Sequence, residues 1–531
     1  MQRRDLLKFA GSGMAVAATP LAAGAASFQS ASASNPAAFA NVRTYGAKGD
    51  GSTTDTPSIN RAIDDVAQRG GGTVYFPAGV YLCYSIHLKS KVGLYLDQGA
   101  VILGGPTPME GTATGGYDHA EPQGDWEPYQ DYGHNHWHNS LLWGEGLHDI
   151  SITGPGLIWG KGLSRGWDNE KTRPDSYKTG VGNKAIALKN CRNVLLRDFK
   201  ILEGGWFGIL ATGVDNFTID NLIIDTIRDG MDIDCCRNVR VSNCTVNSPY
   251  DDAICPKSSY ALGYARPTEN VTIENCFVTG GYEVGSVLDG TWKPLTDTQH
   301  VGTGRIKCGT ESNGGFINIT VTNCTFEKCQ GFALESEDGA IVEDITFTGV
   351  TMRDIGTAPL FLRLGTRMRG PKTMKPGVMR RVLISNVTSS GASQLPSILS
   401  GVLGHNIEDV KISNVILEQV GGADAAMAAL QPEEKADAYP DPHMFGALPA
   451  CGLFARHVRN LDVSNVDILT READARPAIW LHDVDGVDFF HLKTPQGSAP
   501  TFDLRDVKNF RTFGSAQMDD VKLAEVQAKK I

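Results

Sequence analysis

Phe217-Thr218-Ile219-Asp220-Asn221, Val239-Arg240-Val241-Ser242-Asn243 and Val271-Thr272-Ile273-Glu274-Asn275 are one phrase written three times. Apolar and polar residues alternate with period two, so each copy reads as a strand with one buried face, and the closing Asn marks a corner. The phrase returns at residues 319–323, 382–386, 410–414 and 461–465, with shorter echoes at 193–196 and 345–347. Where no insertion intervenes, corners lie 22 to 28 residues apart, as from Asn221 to Asn243 and from Asn386 to Asn414. That is the spacing of a solenoid. Longer gaps, 276–322 and 415–464, hold Gly-, Pro- and Ala-rich stretches that read as loops.

No amphipathic helical pattern separates these strands, which excludes βαβ units. A propeller needs about four strands per ~40-residue blade, and no such grouping is present. The expectation is all-β: a single-stranded right-handed parallel β-helix in which each coil buries its apolar face on the next. Asp55-Thr56-Pro57-Ser58-Ile59-Asn60-Arg61-Ala62-Ile63 predicts a short helix, with Asp or Thr near its N-cap, that covers the open N-terminal end. Cys244, Cys276 and Cys324 each follow a corner Asn at one phase, so they read as small core residues stacked from coil to coil. The total of 11 cysteines is odd, which leaves at least one thiol unpaired and room for one or two bridges. No Cys or His pair has the spacing of a metal site, and no cofactor is expected.

The 531 residues are 41% hydrophobic with a net charge of −11, too apolar for a disordered chain and too acidic for nucleic-acid or polybasic membrane docking. The chain opens Gln2-Arg3-Arg4-Asp5-Leu6-Leu7-Lys8, followed by an Ala- and Gly-rich apolar stretch and the small-residue site Ala31-Ser32-Ala33. That order is an export signal, and the Arg pair is of the twin-arginine type. The stretch falls short of the about 20 strongly apolar residues of a membrane anchor. Residues 1–33 are therefore expected to be a signal, 34–531 a single β-helix catalytic domain with its cap, and the mature protein periplasmic or secreted.

Tyr45-Gly46-Ala47-Lys48-Gly49-Asp50-Gly51 and Gly70-Gly71-Gly72-Thr73-Val74-Tyr75-Phe76-Pro77 resemble the opening coil of pectin-degrading β-helix enzymes. Three further segments narrow the resemblance: Arg228-Asp229-Gly230-Met231-Asp232, Asp251-Asp252-Ala253-Ile254-Cys255-Pro256-Lys257 and Arg305-Ile306-Lys307. They are similar, in this order, to the Asp-Gly-x-Asp, Asp-Asp-x-Ile-x-x-Lys and Arg-Ile-Lys motifs of glycoside hydrolase family 28, the polygalacturonases and rhamnogalacturonases. The resemblance implies a monomeric glycosidase on pectic polysaccharide or oligogalacturonides, with Asp251 as general acid and Asp229 and Asp252 holding the water of an inverting displacement.

The chemistry agrees with the residue types. Glycoside hydrolysis needs one carboxylic acid to protonate the departing oxygen and one carboxylate to activate water. Asp229 lies about one coil before Asp251 and Asp252, which places all three on one face, where crowding leaves one protonated. Alone, an Asp-Asp pair is more often a turn. Arg305 and Lys307 flank an inward Ile306 and are expected to hold a sugar carboxylate, with a salt bridge to the aspartates as the plainer reading. Lys257, Arg228 and Trp206 complete the expected substrate contacts.

Two departures stand out. Ile227-Arg228 replaces the family's Asn-Thr, and Gly281-Tyr282-Glu283 replaces its Gly-His-Gly. Tyr282 is read as a sugar-stacking or hydrogen-bonding residue against an ordinary packed aromatic, and Arg228 as a second carboxylate contact. These changes point away from plain endo-acting polygalacturonase. Residues 309–316 read as a rim loop, and 121–137, rich in aromatics and His, as either a subsite wall or an anchored loop. Residues 441–446 read as a loop folded back over the solenoid. The rival readings are a Ca²⁺-dependent polysaccharide lyase on the same fold and a non-catalytic carbohydrate-binding solenoid.

Overall fold

The computed structural model describes residues 38–106, 116–166, 178–296, 301–495, 497, 499–515 and 517–531; the segment 1–33 assigned to export lies outside them. Phe207–Thr212, Asp215–Asp220 and Ile223–Asp225 form one complete coil. Each strand pairs in parallel with its counterpart one coil on: Phe207 with Asp229, Phe217 with Val239, Ile223 with Thr245. Repetition of this unit makes a parallel β-helix, wound in the right-handed sense that parallel connections favour.

The corner asparagines are the local cause of the coil. Asn216, Asn221, Asn238 and Asn243 adopt left-handed backbone with φ of 54° to 58°. Asn tolerates that conformation better than other non-Gly residues. Their side chains also bond along the axis. The amide of Asn238 donates to Asn216 at 3.2 Å, Asn270 to Asn238 at 3.1 Å and Asn318 to Asn270 at 2.8 Å. A second ladder joins Asn414 to Asn386 and Asn465 to Asn414, each at 3.2 Å.

Inside, Phe217, Val239, Val271 and Ile319 stack in register, all buried. Each such side chain contributes about 1.5–3 kcal/mol on burial. Cys244, Cys276 and Cys324 fill the adjacent column. All eleven cysteines are free and buried, so the bridges that export allowed are not formed. The reason is geometric: the thiols sit in the core as packing groups, next to backbone carbonyls such as that of Ser242, 3.2 Å from Cys244 Sγ.

The N-terminal helix α1, Thr56–Gln68, is longer than the sequence indicated and buries Ile59, Ala62, Ile63 and Val66 on the first coils. Asp55 occupies its N-cap without capping it; the carboxylate instead accepts from the backbone N–H of Lys48 at 2.6 Å and Gly49 at 2.9 Å. At the other end Val521–Lys530 pairs antiparallel with Phe502–Phe513.

One face carries the site. Its strands are β1 Ile86–His87, β2 Leu142–Glu145, β3 Lys184–Lys189, β4 Phe207–Thr212, β5 Asp229–Asp234 and β6 Ile254–Lys257. It continues through a bridge from Ile254 to Ile306 into β7 Lys307–Cys308 and β8 Phe332–Ser336.

Candidate active site

Asp229 and Asp232 lie three residues apart on β5, and the charge of Asp232 acts on Asp229. A Cβ on Gly230 would meet the carbonyl oxygen of Ala253 at 2.4 Å and Val246 Cγ1 at 2.5 Å, so the two coils approach closely only with glycine there. The turn before β6 then brings Asp251 and Asp252 alongside, with Gly230 N–H donating to the Asp252 carbonyl at 2.9 Å. Asp229, Asp251 and Asp252 each present a carboxylate oxygen, and these atoms lie within 4.8 Å of one another.

The three have different surroundings. Asp252 is buried; it accepts from Arg305 Nε at 2.8 Å and pairs with Lys307 Nζ at 3.0 Å. Burial pushes its pKa up, but Lys307 and Arg305 outweigh burial and hold it at about 2. Asp229 has no cation within 4.0 Å among the described residues, and its Oδ1 has no hydrogen-bond partner among them. Burial, then Asp232 and Asp251, push its pKa well above the ordinary carboxylate value. Asp251 is the most open, with 25% of its side chain exposed, and its Oδ2 accepts from Arg228 Nε at 3.1 Å and Nη2 at 2.9 Å. Cations thus pair with two of the three acids, Asp251 and Asp252, and none with Asp229 among the described residues.

Arg305 and Lys307 flank the core residue Ile306, as the alternation requires, and both contact Asp252; Arg305 Nη1 has no partner among the described residues. Lys257 pairs with Glu311 at 3.0 Å and lies 3.8 Å from Asp232. Trp206 is buried with the Arg228 guanidinium 4.9 Å over its ring. Tyr282 packs edge-on against Trp292 at 5.1 Å and lies under Lys328 Nζ at 5.1 Å, an arrangement of a packed aromatic. Its loop is tethered by Asp225, which accepts from the backbone N–H of Gly285 at 2.9 Å and Val287 at 3.0 Å.

Residues 309–313 are not a rim loop. Thr310, Glu311, Ser312 and Asn313 are buried, because Ser312 bridges to Ser258 and its hydroxyl accepts from Glu337 N–H at 2.8 Å. The segment reading 121–137 is an anchored loop: Trp137 Nε1 donates to Thr212 at 3.1 Å and Tyr129 meets Tyr260 edge-on at 5.6 Å. The loop near 441 does fold back, and Tyr439 places its ring 5.9 Å from Lys307 Nζ. Glu121, His138 and Glu145 also converge, but His138 pairs with Glu145 at 3.0 Å and Glu145 with Lys189 at 3.2 Å, which closes that trio on itself.

Sequence reasoning missed His134, 3.2 Å from Asp232, Asp232 itself as a member of the cluster, Glu311 beside Lys257, and Glu335, 3.9 Å from Lys307. Asp232 was legible from its place in Asp-Gly-x-Asp; the others lie too far along the chain for any spacing to reveal them.

A family profile described as "Rhamnogalacturonase A/epimerase, pectate lyase-like" matches residues 39–118, and one described as "Right handed beta helix region" matches 184–367. A probable polygalacturonase of Vitis vinifera is 24% identical over 339 residues, 59% of this chain and 60% of that protein. An exo-poly-alpha-D-galacturonosidase of Dickeya chrysanthemi is 26% identical over 326 residues, 51% of this chain and 49% of that protein. Plasmin and fibronectin-binding protein A of Streptococcus pneumoniae is 29% identical over 281 residues, 49% of this chain and 34% of that one. The matched segments thus span about a third to three fifths of these relatives. A family 28 exopolygalacturonase structure from Yersinia enterocolitica superposes with a TM-score of 0.61 at 21% identity, covering 85% of this chain and 78% of that one. With the ordered motifs and the coil geometry, these findings identify the chain as a right-handed parallel β-helix protein that resembles the pectin hydrolases of glycoside hydrolase family 28.

Proposed function

We propose that the protein is an exported glycosidase that hydrolyses galacturonate-containing pectic polysaccharide with inversion at the anomeric carbon. One observation carries this reading: three converging carboxylates in three different electrostatic settings. Asp252, held ionised by Arg305 and Lys307, is the base that takes a proton from water. Asp229, which burial, Asp232 and Asp251 hold well above the ordinary carboxylate range, keeps the acid proton beside Asp251. Asp251, the exposed member, passes it to the leaving glycosidic oxygen as the bond from the anomeric carbon breaks and water adds from the far side. Arg228, Lys257, Arg305, Lys307 and Trp206 are the proposed substrate contacts, Arg305 through its Nη1, which has no partner among the described residues; Tyr282 packs against Trp292 instead. Among the described residues no helix is long and apolar enough to cross a membrane. Export through residues 1–33 and a monomeric catalytic domain over 34–531 belong to the same proposal.

The test is to incubate the protein with homogalacturonan and rhamnogalacturonan separately and identify the released sugar. Hydrolysis abolished by Asp251→Asn, with an inverted first-formed anomer by proton NMR, is the expected result. A product with unsaturated-uronate absorbance, lost with chelator, would assign a lyase instead. No turnover on any pectic fraction would leave carbohydrate binding as the function.

A further inference from the structure

His134 is 98 residues away from Asp232 in sequence and belongs to an inserted loop, yet its Nε2 lies 3.2 Å from Asp232 Oδ2 inside the protein. Both side chains are buried, at 4% and 0% exposure. The loop that carries the imidazole is docked by its own contacts. Gly133 fits against Phe207 and Trp206, where a Cβ would meet Phe207 Cε2 at 2.6 Å. Gln130 accepts from Tyr260 N–H at 3.3 Å, and Trp137 bonds Thr212. The imidazole itself meets Phe207 edge-on at 4.8 Å.

We propose that His134 is a positioning residue of the three-aspartate centre, acting through Asp232 on Asp229. The inference rests on the glycosidase reading for its consequence in catalysis, though not for its first measurement. The groups facing His134 are Asp232, Glu311, 3.9 Å away, and Lys257. Those facing Asp232 are His134, Lys257 at 3.8 Å, Glu311 and Asp229. Those facing Asp229 are Asp232, Asp251, Asp252, Lys257 and Arg228. Burial and Lys257 push the His134 pKa down, but Glu311 and Asp232 outweigh them and hold it above its ordinary value. A cationic imidazole beside Asp232 therefore offsets the negative charge that raises Asp229. Asp232 Oδ2 meets the imidazole at 3.2 Å, closer than Lys257 Nζ at 3.8 Å, while its Oδ1 has no hydrogen-bond partner among the described residues. Without the imidazole, Asp229 faces a less compensated carboxylate and binds its proton more tightly.

The experiment follows the Asp229 carboxyl by carbon-13 NMR titration of aspartate-labelled protein, with Asp229→Asn assigning the signal, in wild type, His134→Gln, His134→Ala, Asp232→Asn and the double variant Asp232→Asn/His134→Gln. Near-ultraviolet circular dichroism checks that the loop stays docked. His134→Gln keeps a donor but not the charge, and is expected to move the Asp229 midpoint up by about half to one pH unit. Asp232→Asn should move it down, and in that background His134→Gln should have little further effect. On an active pectic substrate, the kinetic limb belonging to Asp229 should shift in parallel. An unchanged midpoint in folded His134→Gln, or the same shift with and without Asp232, overturns the proposal. A shifted midpoint in a protein with no turnover supports it while refuting the glycosidase reading.

Discussion

Arg228 grips a single oxygen of Asp251 with two nitrogens, Nε at 3.1 Å and Nη2 at 2.9 Å, while its Nη1 donates to the Arg165 carbonyl at 3.1 Å. The position differs from the Asn-Thr of the family motif, and the contact fixes the most exposed acid of the centre. Lysine keeps the charge but not the planar fork. Arg228→Lys is therefore expected to lower kcat by about tenfold or more with a smaller change in KM, a loss of roughly 1.4 kcal/mol in the transition state. Equal Michaelis parameters in the two proteins would show that the fork does not position Asp251.

Lys307 is one of three cations, with Arg305 and Lys257, that hold Asp252 ionised. Replacing it with Met leaves Arg305 and Lys257 and raises the Asp252 pKa from about 2. In the proposed reaction Asp252 acts as the carboxylate, so activity is expected to be lost as pH falls through that value. The acid limb of kcat/KM should therefore move to higher pH in Lys307→Met, which a pH–rate profile reads directly.

Gly230 is required by contact. In Gly230→Ala the new methyl group meets the Ala253 carbonyl oxygen at 2.4 Å, so the two coils must separate. The expected cost is about 1–3 kcal/mol in denaturant unfolding, as for other overpacked sites. Turnover should fall further than stability, because Asp229 and Asp232 shift relative to Asp252.

Glu337 gives a stability prediction with a defined sign. It is fully buried beside Arg363, 3.7 Å away, and neither of its oxygens has a hydrogen-bond partner among the described residues. Burial pushes its pKa up to about 9, with Arg363 opposing. A carboxyl that binds its proton more tightly when folded stabilises the protein below its unfolded pKa of about 4.3, and that contribution is lost as pH rises towards about 9. Glu337→Gln removes the loss. Its melting temperature should exceed that of the wild type at about pH 8, and the difference should shrink at about pH 4. A difference of the opposite sign would mean that Glu337 is ionised against Arg363.

The coil was legible because its cause is local. Alternation in Val239-Arg240-Val241 and an Asn able to turn left-handed at 243 act within a few residues, so periodicity and corner chemistry suffice to read them. The three aspartates were legible because adjacent coils convert a sequence offset into a lateral neighbour. His134 and Glu311 were not, since each reaches the cluster through a contact whose partner no spacing rule predicts. The segment 309–313 was misread for a related reason. Its Gly, Thr, Ser and Asn composition signals a turn, but Ser312 satisfies the backbone of Glu337 and draws the segment inside. Tyr282 shows the limit of a motif position: the residue stands where a histidine was expected, and its ring is taken up by Trp292 and Lys328.

The axial asparagine rows have a bearing on what this scaffold accepts. The amide of Asn318 reaches Asn270 at 2.8 Å across 48 residues, and Asn465 reaches Asn414 at 3.2 Å across 51, scarcely different from neighbours 22 apart such as Asn238 and Asn216 at 3.2 Å. The rise per turn is thus indifferent to how much chain is hung between two marks on the ruler. Loops of very different length can therefore hang from the same corners without moving the coils that carry the acids, and what such a loop brings to the acids depends on the side chains it docks, as His134 and Tyr439 do.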